Sequence, residues 1–240
     1  MTEFNKSHWS KAEFAQGYRD SADVFIVERR RLLEILASFY LHFIAGKPNN
    51  KVLDLGCGDG IVVQELLKTD ASMAATLIDG SEDMLSKAKD RLQDFENVHF
   101  VQASFQEILD KNIALQTYDF IVSSLAIHHL IMEKKTALFR TIYNHLNVGG
   151  YFLNIDVILA PSDALEQWYL LLWKQWIDES KSFLGIKSGH YDDIIKEYRD
   201  NTDNKPDTLD VQLKSLQAIG FKEVDCFYKY GIFTMYGGRK

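Results

Sequence analysis

From Lys51 onward, short β-branched runs alternate with longer stretches whose apolar positions recur every three or four residues, the pattern of a parallel sheet wrapped by helices. Strands are expected at 51–55, 75–79, 98–102, 118–123 and, after Gly149-Gly150, 151–155. Between them Ile61, Val62, Leu66 and Leu67 mark one helix, and Leu85, Ala88 and Leu92 a second. Ser81 caps the second helix, and Glu82 and Asp83 meet its positive end. A third is expected near 133–146, with Leu138, Ile142 and Leu146 four apart. Pro206-Asp207-Thr208 opens a last helix carrying Leu209, Leu213 and Leu216, which Gly220 stops. Strands 222–228 and 232–237, separated only by Lys229-Tyr230-Gly231, predict an antiparallel hairpin.

Two segments stand outside this alternation. Residues 1–46 read as a helical cap, with a short helix at 11–17 and a longer one at 22–45. Residues 161–205 read as a helical insertion in the main domain, 47–240. The insertion carries Trp168, Tyr169, Trp173, Trp176, Phe183, Tyr191 and Tyr198. A stripe of Trp168, Leu172 and Trp176 would pack on the sheet or on a second copy in a homodimer, or line an acceptor pocket. A chain of 240 residues suits one large domain with such additions.

Composition narrows the functional classes. Apolar residues at 46% and charged residues at 25% are globular values, and a net charge of -7 works against phosphate backbones. A small-molecule partner is therefore favoured over nucleic acid. The apolar run from Leu32 to Ala45 is broken by Glu34 and His42, so neither a membrane span nor a leader is expected. Two cysteines, Cys57 and Cys226, fit a reducing cytoplasm and lack metal-ligand spacing. Arg29, Arg30 and Arg31 read as a solvated helix face, although guanidinium forks also suit a substrate carboxylate.

Chemistry concentrates in Asp54-Leu-Gly-Cys-Gly-Asp-Gly60. Glycine alone lets a strand-to-helix loop approach a ligand closely, and Gly56, Gly58 and Gly60 supply that freedom. Ile61 stands where a dinucleotide fingerprint would place its third glycine. Asp54 would repel a pyrophosphate and attract an ammonium group. Asp79, at the end of the second strand, is placed to accept hydrogen bonds from a ribose. Adenosine with a cationic amino-acid tail is the ligand these residues imply.

Val52-Leu-Asp-Leu-Gly-Cys-Gly-Asp-Gly60, Leu77-Ile-Asp-Gly-Ser-Glu-Asp-Met84, Tyr118-Asp-Phe-Ile-Val-Ser-Ser-Leu-Ala-Ile-His-His129 and Leu146-Asn-Val-Gly-Gly150 resemble successive motifs of class I S-adenosylmethionine-dependent methyltransferases. The resemblance implies a Rossmann-like, seven-stranded, mostly parallel sheet with a C-terminal antiparallel hairpin. It implies that Asp54, Gly56 and Gly58 surround the methionine part of the cofactor, that Asp79 with Gly80 takes the ribose, and that Met84 touches adenine. Ala103, Ser104 and Phe105 would lie at the adenine edge, with Ser104 where many relatives carry aspartate. Ser123 would meet the amino group through its carbonyl, and Tyr18 would sit in a segment closing over the cofactor.

His128 and His129 follow the fourth strand, where open α/β folds bind substrates, and His128 is the candidate general base. The implied reaction is in-line methyl transfer from S-adenosylmethionine to a small-molecule acceptor, releasing S-adenosylhomocysteine (SAH), without a metal. The stretch from Ser215 through Gly238, with the N-terminal helices, faintly resembles the carboxy-S-adenosylmethionine synthase family. A binding module without turnover and a dehydrogenase are the remaining readings.

Overall fold

Alternation along the strands sorts side chains onto the two faces of a single sheet. The computed structural model describes residues 4, 7, 22–47, 49–186 and 193–240. Its strands are β1 (Lys51–Leu55), β2 (Ala74–Asp79), β3 (Val98–Gln102), β4 (Tyr118–Ser124), β5 (Leu146–Val157), β6 (Lys222–Tyr230) and β7 (Phe233–Arg239). They form one seven-stranded sheet in the order β3-β2-β1-β4-β5-β7-β6. The neighbours from β3 to β5 pair in parallel, and β7 runs antiparallel to both β5 and β6.

Val52, Phe120 and Val122 enter one core, and Leu53, Leu55 and Ile121 enter the other. The first core is closed by α1 (Arg29–Phe43), α2 (Ile61–Thr69), α3 (Glu82–Arg91) and α6 (Asp163–Leu184). The second is closed by α4 (Phe105–Leu109), α5 (Met132–His145) and α8 (Leu209–Ile219). A further short helix, α7 (Ile194–Asp200), packs against α6. Strand order reverses between β1 and β4, and in open α/β sheets ligands bind at the carboxyl ends flanking such a switch.

Several elements differ from expectation for identifiable reasons. The long N-terminal helix is broken: 22–25 is helical, the chain bends, and Glu28 adopts a left-handed φ of 46° before α1 begins. The bend buries Ile26 and Val27, and Tyr228 donates its phenol proton to the Glu28 carboxylate at 3.1 Å. β5 starts at Leu146, so Gly149-Gly150 lies inside the strand, beside a register shift against β4. The hairpin turn is tighter than three residues, with Gly231 at φ 55° between the strands. On α6 the buried stripe is Tyr169, Leu170, Trp173 and Ile177, while Trp168 is 52% exposed. Trp173 fixes this rotation by donating its indole N–H to the Phe25 carbonyl at 2.6 Å. The helix expected at 11–17, Tyr18 and Tyr191 lie outside the described residues. Among the described residues no helix is long and apolar enough to cross a membrane, and no cluster of three or more His, Cys, Asp or Glu is placed to hold a metal ion.

Candidate active site

The loop from β1 into α2 uses glycine where geometry demands it. Gly56, Gly58 and Gly60 have φ values of 69°, 54° and 78°, a region that costs other residues about 1–2 kcal/mol. A Cβ on Gly56 would also stand 2.4 Å from the Ala126 methyl carbon, so the loop after β4 packs directly on the glycine backbone. The Gly56 and Cys57 amides donate to the Ile78 carbonyl at 2.8 and 3.1 Å. Asp79 ties this loop to the next one, its carboxylate accepting from the Gly58 amide at 2.9 Å and the Ser81 amide at 2.8 Å. Burial still raises the Asp79 pKa, against the lowering effect of these two amides.

Beyond these carboxyl ends lies a cavity of about 280 Å³. One wall is Gly56, Gly58, Asp79, Gly80 and Met84, and the next is Ala103, Ser104 and Phe105. All of these were singled out from the sequence. Ser104 caps α4 through a reciprocal bond with Glu107: its hydroxyl takes the Glu107 amide at 3.3 Å, and the Glu107 carboxylate takes the Ser104 amide at 2.8 Å. The Phe4 ring lies directly over Gly80, where a Cβ would come within 2.7 Å of it.

Other expected residues sit behind the cavity wall. Ser123 is fully buried, with its hydroxyl on the Leu55 carbonyl at 2.7 Å, and Ser124 is the serine that lines the space. His128 turns away from the lining: its Nδ1 lies 2.6 Å from Asp156 on β5, and Asp156 is held in turn by Asn154. The cavity is met instead by His129, packed 4.0 Å from His128 between ring centroids. His129 Nδ1 lies 3.3 Å from the Asp203 carbonyl, which can only accept, so the neutral ring carries its proton on Nδ1 and its lone pair on Nε2. Burial, then the charges of His128 and Lys135, hold its pKa well below the usual histidine value.

Leu125, Leu130 and Ile131 supply apolar lining, and Asp203 and Lys205 close the far side. Leu125 has φ 53°, a strained value for a branched residue at the point where β4 gives way to the site. A second cavity of about 60 Å³ lies against the same glycine loop and α1, with Arg29 in its wall and Asp23 paired to Arg29 at 2.8 Å. Of the residues lining this cavity, Gly56, Gly58, Asp79, Gly80, Met84 and 103–105 were singled out from the sequence, His129 was named there only beside the candidate His128, and Leu125 and Lys205 were not singled out. No periodicity marks a left-handed leucine, and adjacent histidines on the short 3-10 turn Ile127–His129 point in different directions.

Asp54 tests which ligand the loop fits. Its carboxylate is 0% exposed and, among the described residues, neither oxygen has a hydrogen-bond partner, while burial and then the charges of Asp79 and Asp59 push its pKa well up. A buried, unsatisfied carboxylate beside a ligand loop fits a positively charged ligand and disfavours a pyrophosphate. S-adenosylmethionine, with its ammonium and sulfonium, meets that requirement. The fold and site define a class I, S-adenosylmethionine-dependent methyltransferase.

A family model described as a methyltransferase domain matches residues 46–200, and the chain belongs to that family. It is 25% identical to the carboxy-S-adenosyl-L-methionine synthase of Helicobacter pylori (strain G27), over 98% of this chain and 95% of that protein. It is 24% identical to the synthase of Trichodesmium erythraeum (strain IMS101), over 79% of this chain and 72% of that one. Among solved structures, an O-methyltransferase family protein from Burkholderia thailandensis superposes with a TM-score of 0.69 at 12% identity; the match covers 98% of this chain and 62% of the other, so this chain spans about three-fifths of its length. The magnesium protoporphyrin IX methyltransferase of Synechocystis PCC 6803, with bound SAH, superposes with a TM-score of 0.66 at 14% identity over 97% of both chains.

Proposed function

We propose that the cavity brings S-adenosylmethionine together with a small, largely apolar acceptor, and that His129 receives the acceptor's proton. The observation that carries this reading is the meeting, in one space, of the glycine loop and Asp79 with the imidazole of His129. When bound, the cofactor supplies a methyl group already activated by its sulfonium. Asp79 retains lone pairs for ribose hydroxyls after accepting its two amides. Met84 and residues 103–105 flank the adenine, and Asp54 offsets the positive tail. Arg29, beside the glycine loop, takes the tail carboxylate in exchange for Asp23. Leu125, Leu130 and Ile131 exclude water and hold the acceptor in line, which contributes through orientation.

Isothermal calorimetry with SAH, followed by turnover across a panel of phenols, amines and thiols, tests the proposal. Saturable SAH binding with transfer to one class supports it; binding without any transfer leaves a binding module. A second reading has its own support in the likeness to carboxy-S-adenosyl-L-methionine synthases along nearly the whole chain. Mass spectrometry of the ligand released from purified protein separates the two, because a carboxylated cofactor is heavier than S-adenosylmethionine.

A further inference from the structure

A lysine with no exposed surface is unusual on a helix that otherwise reads as amphipathic. Lys135 of α5 is 0% exposed, and its ammonium reaches Asp207 Oδ2 at 2.5 Å and the Lys205 carbonyl at 2.6 Å. The segment it grips is stitched down along its length. The Lys205 amide donates to the His128 carbonyl at 2.8 Å, and the Asp207 carbonyl accepts from the Leu159 amide and the Gln212 side chain, each at 3.1 Å. At its near end the Asp203 carbonyl meets His129 Nδ1, and Asp203 and Lys205 both line the cavity. Taking an ammonium wholly out of water to meet an aspartate that is itself 28% exposed rarely gains net stability over apolar packing, which points to another role.

We propose that the Lys135–Asp207 pair is a positioning device for the acceptor end of the site: it anchors 203–207 so that the Asp203 carbonyl holds His129 in the Nδ1–H tautomer. This rests on the cavity being the methyl-transfer site. Among the described residues, the charged and titratable groups facing His129 are His128 on its own turn, Lys135 from α5, Asp203 and Lys205 from the anchored segment, and Asp156 from β5 behind His128. Lys135 also adds a positive field that opposes protonation of the imidazole, against the raising effect of the Asp203 carbonyl.

The test is ¹⁵N NMR of the His129 ring in the full chain, assigned with His129→Gln, across a pH titration of wild type and Lys135→Met, with SAH calorimetry on the same samples. Wild type should show the Nδ1–H tautomer and titrate below ordinary histidines. Lys135→Met should show mixed tautomers, with SAH affinity unchanged. Should Lys135→Met fail to fold, the paired Lys135→Met/Asp207→Leu variant, which removes both charges together, carries the same readouts. A His129 that keeps its tautomer in the variant overturns the proposal, as does a wild-type ring protonated on Nε2. Failure of wild type to bind SAH would instead strike the methyl-transfer reading, leaving the histidine measurement intact.

Discussion

Asp54 shows how a single side chain couples the site to the stability of the fold. Its carboxyl pKa is raised by burial and by neighbouring acids, so the folded apo-protein binds this proton more tightly than the unfolded chain. Stability then falls as pH climbs from the ordinary carboxylate range through the raised value. A cationic ligand reverses the shift, so binding releases protons and strengthens with pH over that window. Asp54→Asn should flatten the pH dependence of apo stability, reduce proton release measured calorimetrically in buffers of different ionisation enthalpy, and weaken SAH binding about tenfold. Unchanged affinity and proton release would remove Asp54 from the ligand's surroundings. Gly56 and Gly58 were legible because their left-handed φ favours glycine, and Asp79 because an acid ending the second strand stands out beside that loop. His129 was not, because its role depends on which of two neighbours a 3-10 turn aims at the cavity. Lys135 was hidden because a charged helical position reads as solvated until the opposing segment is known.

Elements were legible where periodicity was strong, as in β1 to β4 and the helix opened by Ser81, whose hydroxyl accepts the Met84 amide at 3.3 Å. The bend before α1 and the rotation of α6 were not, since tertiary contacts from Tyr228 and Phe25 decide them. α3 also does more than cover the sheet. Arg91 in its last turn donates Nε to the Asp59 carbonyl at 2.9 Å and Nη1 to Gln64 at 3.1 Å, and pairs Nη2 with the Asp59 carboxylate at 2.5 Å. This fork braces the glycine loop from outside. Arg91→Met should cost about 1–3 kcal/mol in chemical denaturation and weaken SAH binding, and Arg91→Lys should not restore either, because an ammonium lacks the planar fork. A variant with wild-type denaturation and SAH affinity would show the brace to be idle.

At the scale of the whole molecule, loops from both halves of the sheet meet at one cavity, so its occupant should stabilise the fold as a unit. SAH at a hundredfold excess over its dissociation constant should add about 2.7 kcal/mol, raising the thermal midpoint by roughly 5–10 °C for a chain of this size. The absence of a shift with SAH, alongside one with NAD, would return the dehydrogenase reading. The parallel sheet and its closing hairpin were readable from alternation and turn residues, whereas the site's far wall comes from a polar segment with no period to read. The position of β7 has a consequence for how the protein is made. This strand follows β5 and β6 in the chain yet lies between them, pairing from Tyr151↔Arg239 to Val157↔Phe233 on one side and with β6 on the other. During translation β6 therefore emerges with no neighbour to join, and the apolar edge of β5 stays open to other nascent chains until residues 233–239 leave the ribosome.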